Sequence, residues 1–192
     1  KQSGIYIGNI LMGFAVLMFG MSTMSSAVSV LRDAPWFLEL LTDLGHPVLG
    51  ILVGALFTAL LQSASAAVGI LQALSLSGVM PLESALPLLL GVTIGASAPV
   101  LLSALGAKTE GKRAAWVYLV ASLIGVVVLA GLFYAANAIF RFGFMKLLMT
   151  PVSMAVVNTI FRLLMTILLI PFTGIIEKIV TWMVPKKKDD SE

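Results

Sequence analysis

The stretch from residue 47 to residue 79, PVLGILVGALFTALLQSASAAVGILQALSLSGV, contains 33 residues and no charged side chain. A single bilayer crossing needs about 20 apolar residues and two crossings need about 40, so this length suits neither. Its middle carries the polar sequence Gln62-Ser63-Ala64-Ser65-Ala66 between apolar flanks. We therefore predict two helices of about 15 residues each, joined at a polar tip in a re-entrant hairpin.

The composition of the whole chain is that of an integral membrane protein. Of its 192 residues, 59% are hydrophobic and 11% are charged, and the mean hydropathy is +1.07. Soluble domains carry about 25% charged residues, because their surfaces must be wetted. The composition excludes an ordinary soluble enzyme, a disordered chain and a nucleic-acid-binding domain.

The remaining apolar segments predict four further membrane elements. They cover residues 5–31, 82–105, 114–140 and 151–184. Residues 36–44 carry two acids among leucines and aromatic residues, which indicates a short helix that lies in the membrane interface. The predicted fold class is therefore all-α and integral to the membrane.

A second interruption is predicted within the segment 82–105. Residues 91–99, GVTIGASAP, combine two glycines, small or hydroxylated residues and a proline. These residue types favour an unwound stretch inside a helix. Two interrupted membrane elements in succession indicate a site for an ion or an anion, because broken helices expose backbone groups in the membrane.

The basic residues predict how the chain is oriented. Lys108, Lys112 and Arg113 precede the segment 114–140, and residues 186–188 are lysines that follow the last segment. Two crossings separate these clusters, so both lie on one side, which is the cytoplasmic side by the positive-inside rule. We predict a multi-pass protein of the inner (plasma) membrane, with the Lys108–Arg113 loop and the C-terminus in the cytoplasm.

Two regions make up the predicted domain organisation. Residues 1–185 form a transmembrane domain and residues 186–192 form a charged linker. The chain starts with Lys1 and stops in charged residues just after an apolar segment, so both ends suggest a piece of a longer polypeptide.

The two predicted breaks carry the side chains that could bind a solute. Gln62, Ser63 and Ser65 lie on the first break, and Thr93 and Ser97 lie on the second. These neutral oxygen and amide groups suit an alkali cation and an oxyanion, since broken helices also expose backbone N–H and C=O groups. The alternative is that the same residues only hold helices together by hydrogen bonds.

Arg162 is the one cation placed well inside a predicted span. At the centre of a bilayer an arginine costs about 2.5–3.5 kcal/mol, so a compensating interaction is expected. It could bind an anionic substrate or a lipid phosphate, pair with another helix, or extend to the membrane surface. Asn158 lies four residues earlier and shares its helix face.

Catalytic and metal-binding patterns do not occur in the sequence. It has no cysteine, a single histidine at His46, no acidic cluster inside a span and no Gly-x-x-x-x-Gly-Lys-Ser/Thr loop. We expect neither an enzyme nor a structural metal site.

Residues 54–74, GALFTALLQSASAAVGILQAL, resemble the Gln-Ser-Ser-Ser signature region of the type II sodium/phosphate cotransporter family, and most closely its bacterial members. The likeness continues at residues 91–97, 106–108 and 112–115, and it covers most of residues 10–180. Members of this family carry two inverted repeats with one such motif each, and the Gly-Ile-Leu-Gln-Ala-Leu continuation is similar to the second repeat.

The resemblance implies one half of a transport unit that uses Na⁺ as its coupling ion. The other half is expected from the same polypeptide or a second chain, in a dimer, and residues 186–192 resemble a linker to a cytoplasmic domain. By position, Gln62, Ser63 and Ser65 are implicated in phosphate and Na⁺ binding. The sodium set implied by the resemblance is Gln62, Ser65, Thr93 and Ser122.

Several positions depart from the family pattern. Ala64 replaces the middle serine of the signature, and Thr93 and Ser122 stand where asparagine is usual. Arg162 takes the place of an asparagine and Asn158 that of a histidine. Fewer amides and an added cation suggest a larger or differently charged phosphate-bearing substrate.

The sequence therefore predicts a sodium-coupled secondary transporter of phosphate or of a phosphate-bearing organic anion. The predicted substrate-binding residues are Gln62, Ser63, Ser65, Thr93, Ser97, Asn158 and Arg162. Two alternatives stay open, namely a transporter of phospholipid or its headgroup and a non-transporting membrane module that serves as a scaffold. No nucleic-acid partner is expected.

Overall fold

The computed structural model describes residues 2–29 and 35–185, and α-helices dominate these residues. The helices are α1 (Gln2–Ser29), α2 (Pro35–Asp43), α3 (Pro47–Leu61), α4 (Ala64–Leu76), α5 (Leu82–Gly95), α6 (Ser97–Ser103), α7 (Thr109–Phe140), α8 (Pro151–Leu169) and α9 (Thr173–Met183). Short 3-10 turns at Ala104–Gly106, Gly143–Lys146 and Ile170–Phe172 connect some of them. The all-α prediction is confirmed for the described residues.

Three helical stretches are long and apolar enough to cross a membrane within the described part of the chain. They are Leu82–Gly106, Thr109–Phe140 and Pro151–Met183. The segment 47–79 is different, because α3 has 15 residues and α4 has 13. At 1.5 Å per residue each measures only about 20 Å, which is less than a bilayer core of about 30 Å. Two half-length helices are thus confirmed, while their re-entrant course stays a prediction.

Helices α3 and α5 pack with their backbones in direct contact. A Cβ atom at Gly54 would collide with the carbonyl oxygen of Leu88, and one at Gly91 would collide with that of Ile51. Gly95 approaches the Ala55 carbonyl and the Thr58 side chain in the same way. Four-residue spacing of small residues allows this closeness in lipid, where packing replaces the hydrophobic effect as the driving force.

The predicted unwound stretch over residues 91–99 was wrong. Helix α5 continues through Gly95, Ala96 keeps right-handed helical angles (φ −60°, ψ −18°), and α6 starts at Ser97. The glycines serve the contact with α3 instead of a loop. Pro99 is the third residue of α6, where the backbone N–H that it lacks has no partner within the helix.

Helix α5 forms the centre of the bundle. Nearly all of its side chains are buried, including Leu86 and Val92 at 0% exposure. Helices α3, α4, α7 and α8 pack around it, and α1 packs against α4. A helix that is apolar on every side is either buried within the protein or exposed to lipid, and α5 is the buried kind.

Helices α7, α8 and α9 form the second part of the bundle. Gly125 of α7 lies against Met165 and Leu169 of α8. At one end of the bundle the Nε atom of Arg113 donates a hydrogen bond to the carbonyl oxygen of Val184, over 3.0 Å. The start of α7 and the end of α9 are therefore neighbours.

The connector after α7 returns to the loop between α4 and α5. The Met149 N–H donates to the Met80 carbonyl over 2.8 Å, and the Leu82 N–H donates to the Leu147 carbonyl over 3.0 Å. The predicted linker at residues 186–192 lies outside the described residues. The predicted interfacial helix corresponds to α2.

Candidate functional site

The tip between α3 and α4 consists of Gln62 and Ser63. Gln62 ends α3 in the left-handed region (φ 52°, ψ 22°). The Ser63 hydroxyl accepts a hydrogen bond from the Ala66 N–H over 3.3 Å, as a residue that caps a helix N-terminus does. It also lies 3.2 Å from the Ser65 hydroxyl. The polar sequence thus ends one helix and starts the next, and the Gln62 and Ser65 residues remain exposed.

A cleft with polar walls, here called the polar cleft, lies between α4 and α8. Its lining is Ala64, Ser65, Val68 and Gln72 from α4, with Asn158 and Arg162 from α8. Ser65, Val68 and Gln72 are three and four residues apart, so they share one face of α4. Asn158 and Arg162 likewise share one face of α8. Two polar helix faces therefore meet at this cleft.

Arg162 supplies the charge of the polar cleft. The residue is half-buried, and its Nε atom donates to the Asn158 Oδ1 atom over 3.4 Å. Among the described residues the only ion pair joins Arg113 to Glu110, and no acidic residue lines the cleft. No acidic side chain of the described residues neutralises this charge, so an anion that enters the cleft gains charge-assisted hydrogen bonds.

A narrow crevice extends from the same two residues of α8 toward α5. Its walls are apolar side chains of α5 and α8 together with Thr93, Asn158 and Arg162. The free space is about 10 Å³, which is room for about one water molecule. The Thr93 hydroxyl donates to the Leu89 carbonyl over 3.2 Å, and its oxygen can still accept a bond or bind a cation.

Four of the predicted substrate-binding residues line the polar cleft or the crevice. They are Ser65, Thr93, Asn158 and Arg162. Gln62 and Ser63 occupy the tip that precedes the α4 wall of the polar cleft. Residues of three separate helices are thus brought together at Arg162.

Ser97 and Ser122 lie away from both spaces. The Ser97 hydroxyl is 2% exposed and donates to the Ile94 carbonyl over 2.7 Å. Ser122 is buried in α7. Of the predicted sodium set, Ser65 and Thr93 border the two spaces, and the set as a whole stays a prediction.

Gln72 is the one polar side chain lining the cleft that we did not predict from the sequence. Its Nε2 atom donates to the Pro151 carbonyl over 3.2 Å, which ties α4 to the first turn of α8. It lies seven residues after Ser65, a spacing that returns to the same face after two helical turns. That spacing was the feature of the sequence from which Gln72 could have been predicted.

No group of three or more His, Cys, Asp or Glu side chains that could hold a metal ion occurs among the described residues.

The chain matches one family model and several known proteins in sequence. The family model described as Na⁺/Pi-cotransporter matches residues 33–175. The chain is 23% identical to the uncharacterized protein YqeW of Bacillus subtilis over 186 residues, which are 94% of this chain and 58% of YqeW. It thus spans a little over half the length of that relative.

A shorter match joins the chain to mammalian proteins. It is 39% identical over 74 residues to the sodium-dependent phosphate transport protein 2A of Oryctolagus cuniculus, covering 37% of this chain and 12% of that protein. The protein of the same name from Rattus norvegicus is 38% identical over 74 residues, with the same coverage. No solved structure matches the chain significantly.

Proposed function

Because the chain belongs to the Na⁺/Pi-cotransporter family, we propose that it forms part of a sodium-coupled transporter of phosphate or of a phosphate-bearing organic anion. The observation that carries this proposal is the unneutralised Arg162 guanidinium in a cleft that Ser65, Gln72 and Asn158 also line. Phosphate groups suit this set, since guanidinium donates two parallel hydrogen bonds and hydroxyls and amides donate the rest.

Sodium coupling needs cation ligands close to the anion. The hydroxyl oxygens of Ser65 and Thr93 and the amide oxygen of Asn158 are neutral ligands of the kind that Na⁺ accepts. They border the spaces that Arg162 also lines. A bound Na⁺ and a bound anion attract each other, so each raises the affinity of the site for the other by the same factor.

A second transporter half completes the site in this proposal. The polar cleft is open on one side, and its lining residue Ser65 and the tip residue Gln62 are exposed. Secondary transporters of this kind hold their substrate between two repeats near the membrane midplane. We propose that the other half, from the same polypeptide or a second chain, covers the tip formed by Gln62 and Ser63.

The proposed orientation places the Lys108–Arg113 loop and the C-terminus in the cytoplasm. The bond between Arg113 and the Val184 carbonyl supports a common side for the two basic clusters, because Val184 lies two residues before the lysines at 186–188. Lysine and arginine in short loops set the orientation of membrane proteins.

Uptake into proteoliposomes tests the proposed function. The protein is purified from its native membrane with any partner that it retains, and uptake of labelled phosphate and glycerol phosphate is measured with an inward Na⁺ or K⁺ gradient. We expect uptake with Na⁺ only, reduced about tenfold or more by Arg162→Gln, since a lost bond to a charged group costs about 1.5–3 kcal/mol.

Arg141→Gln is the matched control for that experiment. Arg141 is exposed, ends α7 and lines neither the polar cleft nor the crevice, so its loss removes one positive charge elsewhere. Equal uptake with the Na⁺ gradient and with the K⁺ gradient would contradict sodium coupling. Transfer of a labelled phospholipid without phosphate uptake indicates lipid transport instead, and absence of both indicates a scaffold.

A further inference from the structure

An apolar groove opens at the end of the bundle where α7 begins. Its lining is Leu101, Ala104, Leu105, Ala115 and Trp116, with Lys112 as the one charged residue. The volume is about 200 Å³. Ala104 and Ala115 form a buried floor, while Leu105 and Lys112 are exposed. We call this space the lysine groove.

Lys112 lines the groove and has no acidic partner among the described residues. The neighbouring Arg113 binds Glu110 through Nη1 over 3.4 Å and the Val184 carbonyl through Nε over 3.0 Å. Within the described part of the chain, that pair is the only ion pair, and no acidic residue lines the groove. Arg113 is thus hydrogen-bonded within the fold, whereas the adjacent Lys112 can interact with an anion from outside.

The electrostatics of this region favour an anion. Lys108, Lys112 and Arg113 oppose a single acid, Glu110, over six residues. They also lie at the N-terminal end of α7, where the helix dipole is positive and cations are unfavourable. A negative group beside Lys112 therefore relieves a repulsion that the chain itself leaves in place.

We propose that the lysine groove binds an anionic phospholipid. The lipid phosphate lies against the Lys112 ammonium, and an acyl chain lies along Leu101, Leu105 and Trp116. A soluble anion would make no favourable contact with these apolar walls. A lipid would contact both, with its phosphate against the ammonium and its acyl chain against the walls. Tryptophan is also the residue that settles at the depth of lipid headgroups.

The lysine groove is separate from the proposed transport site. It shares no lining residue with the polar cleft or the crevice, and it lies beyond α5 along the chain. The lipid is therefore a bound partner of the protein and not its transported solute.

Quenching of Trp116 fluorescence by brominated lipids tests this proposal. The protein carries Trp36→Phe and Trp182→Phe, which replace two exposed tryptophans and leave Trp116 as the reporter. Vesicles contain equal amounts of phosphatidylglycerol and phosphatidylcholine, with bromine on one lipid or on the other. We expect brominated phosphatidylglycerol to occupy the site about fivefold more often, the preference that one lysine confers.

Two variants decide whether Lys112 causes the preference. Lys112→Gln should remove it, and Lys108→Gln should keep it, because Lys108 is exposed and does not line the groove. Equal quenching by both lipids in the Trp116 reporter overturns the proposal, as does a preference that persists in Lys112→Gln.

Two measurements on the Trp116 reporter protein itself avoid any dependence on how the lysine variants fold. High salt should weaken the preference, because it screens the ammonium. Inorganic phosphate at millimolar concentration should not displace the lipid. Displacement by phosphate alone indicates a site for a soluble anion and overturns the lipid assignment.

Discussion

The helix pair α3 and α5 and the helix pair α4 and α8 use small and polar residues in opposite ways. Between α3 and α5, glycines bring backbones so close that no added Cβ fits at Gly54 or Gly91. Between α4 and α8, serine and glutamine instead line an open polar cleft, and a Cβ at Gly69 of α4 would meet nothing within 4 Å.

This difference separates what holds the fold from what can bind a solute. The α3–α5 pair is dry and close-packed, so its residues act on stability. The polar cleft keeps an unneutralised cation beside hydroxyl and amide groups, an arrangement that costs stability unless a ligand or partner arrives. Substitutions in the two pairs should therefore affect different measurements.

The largest effect on stability is expected at Gly91. Gly91→Ala places a methyl group against the backbone of α3 and should lower the free energy of unfolding by about 3 kcal/mol, as overpacking does. Gly69→Ala adds the same methyl group in open space and should raise stability by up to about 1 kcal/mol through helix propensity. Unfolding in detergent, followed by circular dichroism, measures both.

A similar change in stability in Gly91→Ala and Gly69→Ala would contradict the difference drawn between the two helix pairs. If Gly91→Ala proves as stable as the unaltered protein, α3 and α5 separate easily and do not form a rigid frame. If Gly69→Ala destabilises the protein as much as Gly91→Ala, α4 is covered by a surface that the described residues do not supply.

The sequence predicted the first break correctly because its signals agree with one another. The uncharged run is too short for two crossings, and Gln62 and Ser63 lie at its middle. Both features favour two short helices joined at these residues. The unwinding of residues 91–99 was predicted wrongly because glycine has two uses in a membrane helix. Glycine can unwind a helix, or it can let a second helix approach closely. Gly91 and Gly95 are compatible with both, and only the position of α3 shows that they serve close packing.

The candidate site divides in the same way. Arg162 and Asn158 are recognisable from the sequence, since an arginine inside a span needs a partner. Gln72 was overlooked because its role depends on α8 lying beside α4, which no local pattern reveals. Ser97 and Ser122 are serines like Ser65, and their burial among helices follows from packing alone.

Two serines, Ser65 in the polar cleft and Ser97 outside it, test whether the cleft takes part in transport. Ser65→Ala removes an exposed hydroxyl of the polar cleft and should reduce phosphate uptake about tenfold, while stability changes little. Ser97→Ala removes a hydroxyl that bonds within its own helix and lines neither space. It should leave the uptake rate per folded molecule unchanged.

Uptake and thermal unfolding of the two serine variants are measured side by side. Equal loss of uptake in both would show that Ser97 contributes to binding after all, against its position in this structure. Normal uptake in Ser65→Ala would remove the polar cleft from the transport pathway.

A smaller effect is expected at the contact that joins the two walls of the cleft. Gln72→Met keeps the volume of the side chain but loses the bond to the Pro151 carbonyl, so the free energy of unfolding should fall by about 1 kcal/mol. Chemical unfolding measures the change. Unchanged stability combined with lost uptake would assign Gln72 to the substrate and not to the attachment of α4 on α8.

The smallest effect on stability, and one of opposite sign, is expected at the tip. Gln62 is held at φ 52°, a conformation that glycine adopts without strain, so Gln62→Gly should raise the free energy of unfolding by about 0.5 kcal/mol. The same change removes an exposed amide from the tip and should lower phosphate uptake several-fold. Gln62→Asn, which tolerates this conformation and keeps an amide, should retain most of the uptake. A gain in stability with unchanged uptake in Gln62→Gly would show that Gln62 serves only to end α3, because the turn would then be all that the position requires.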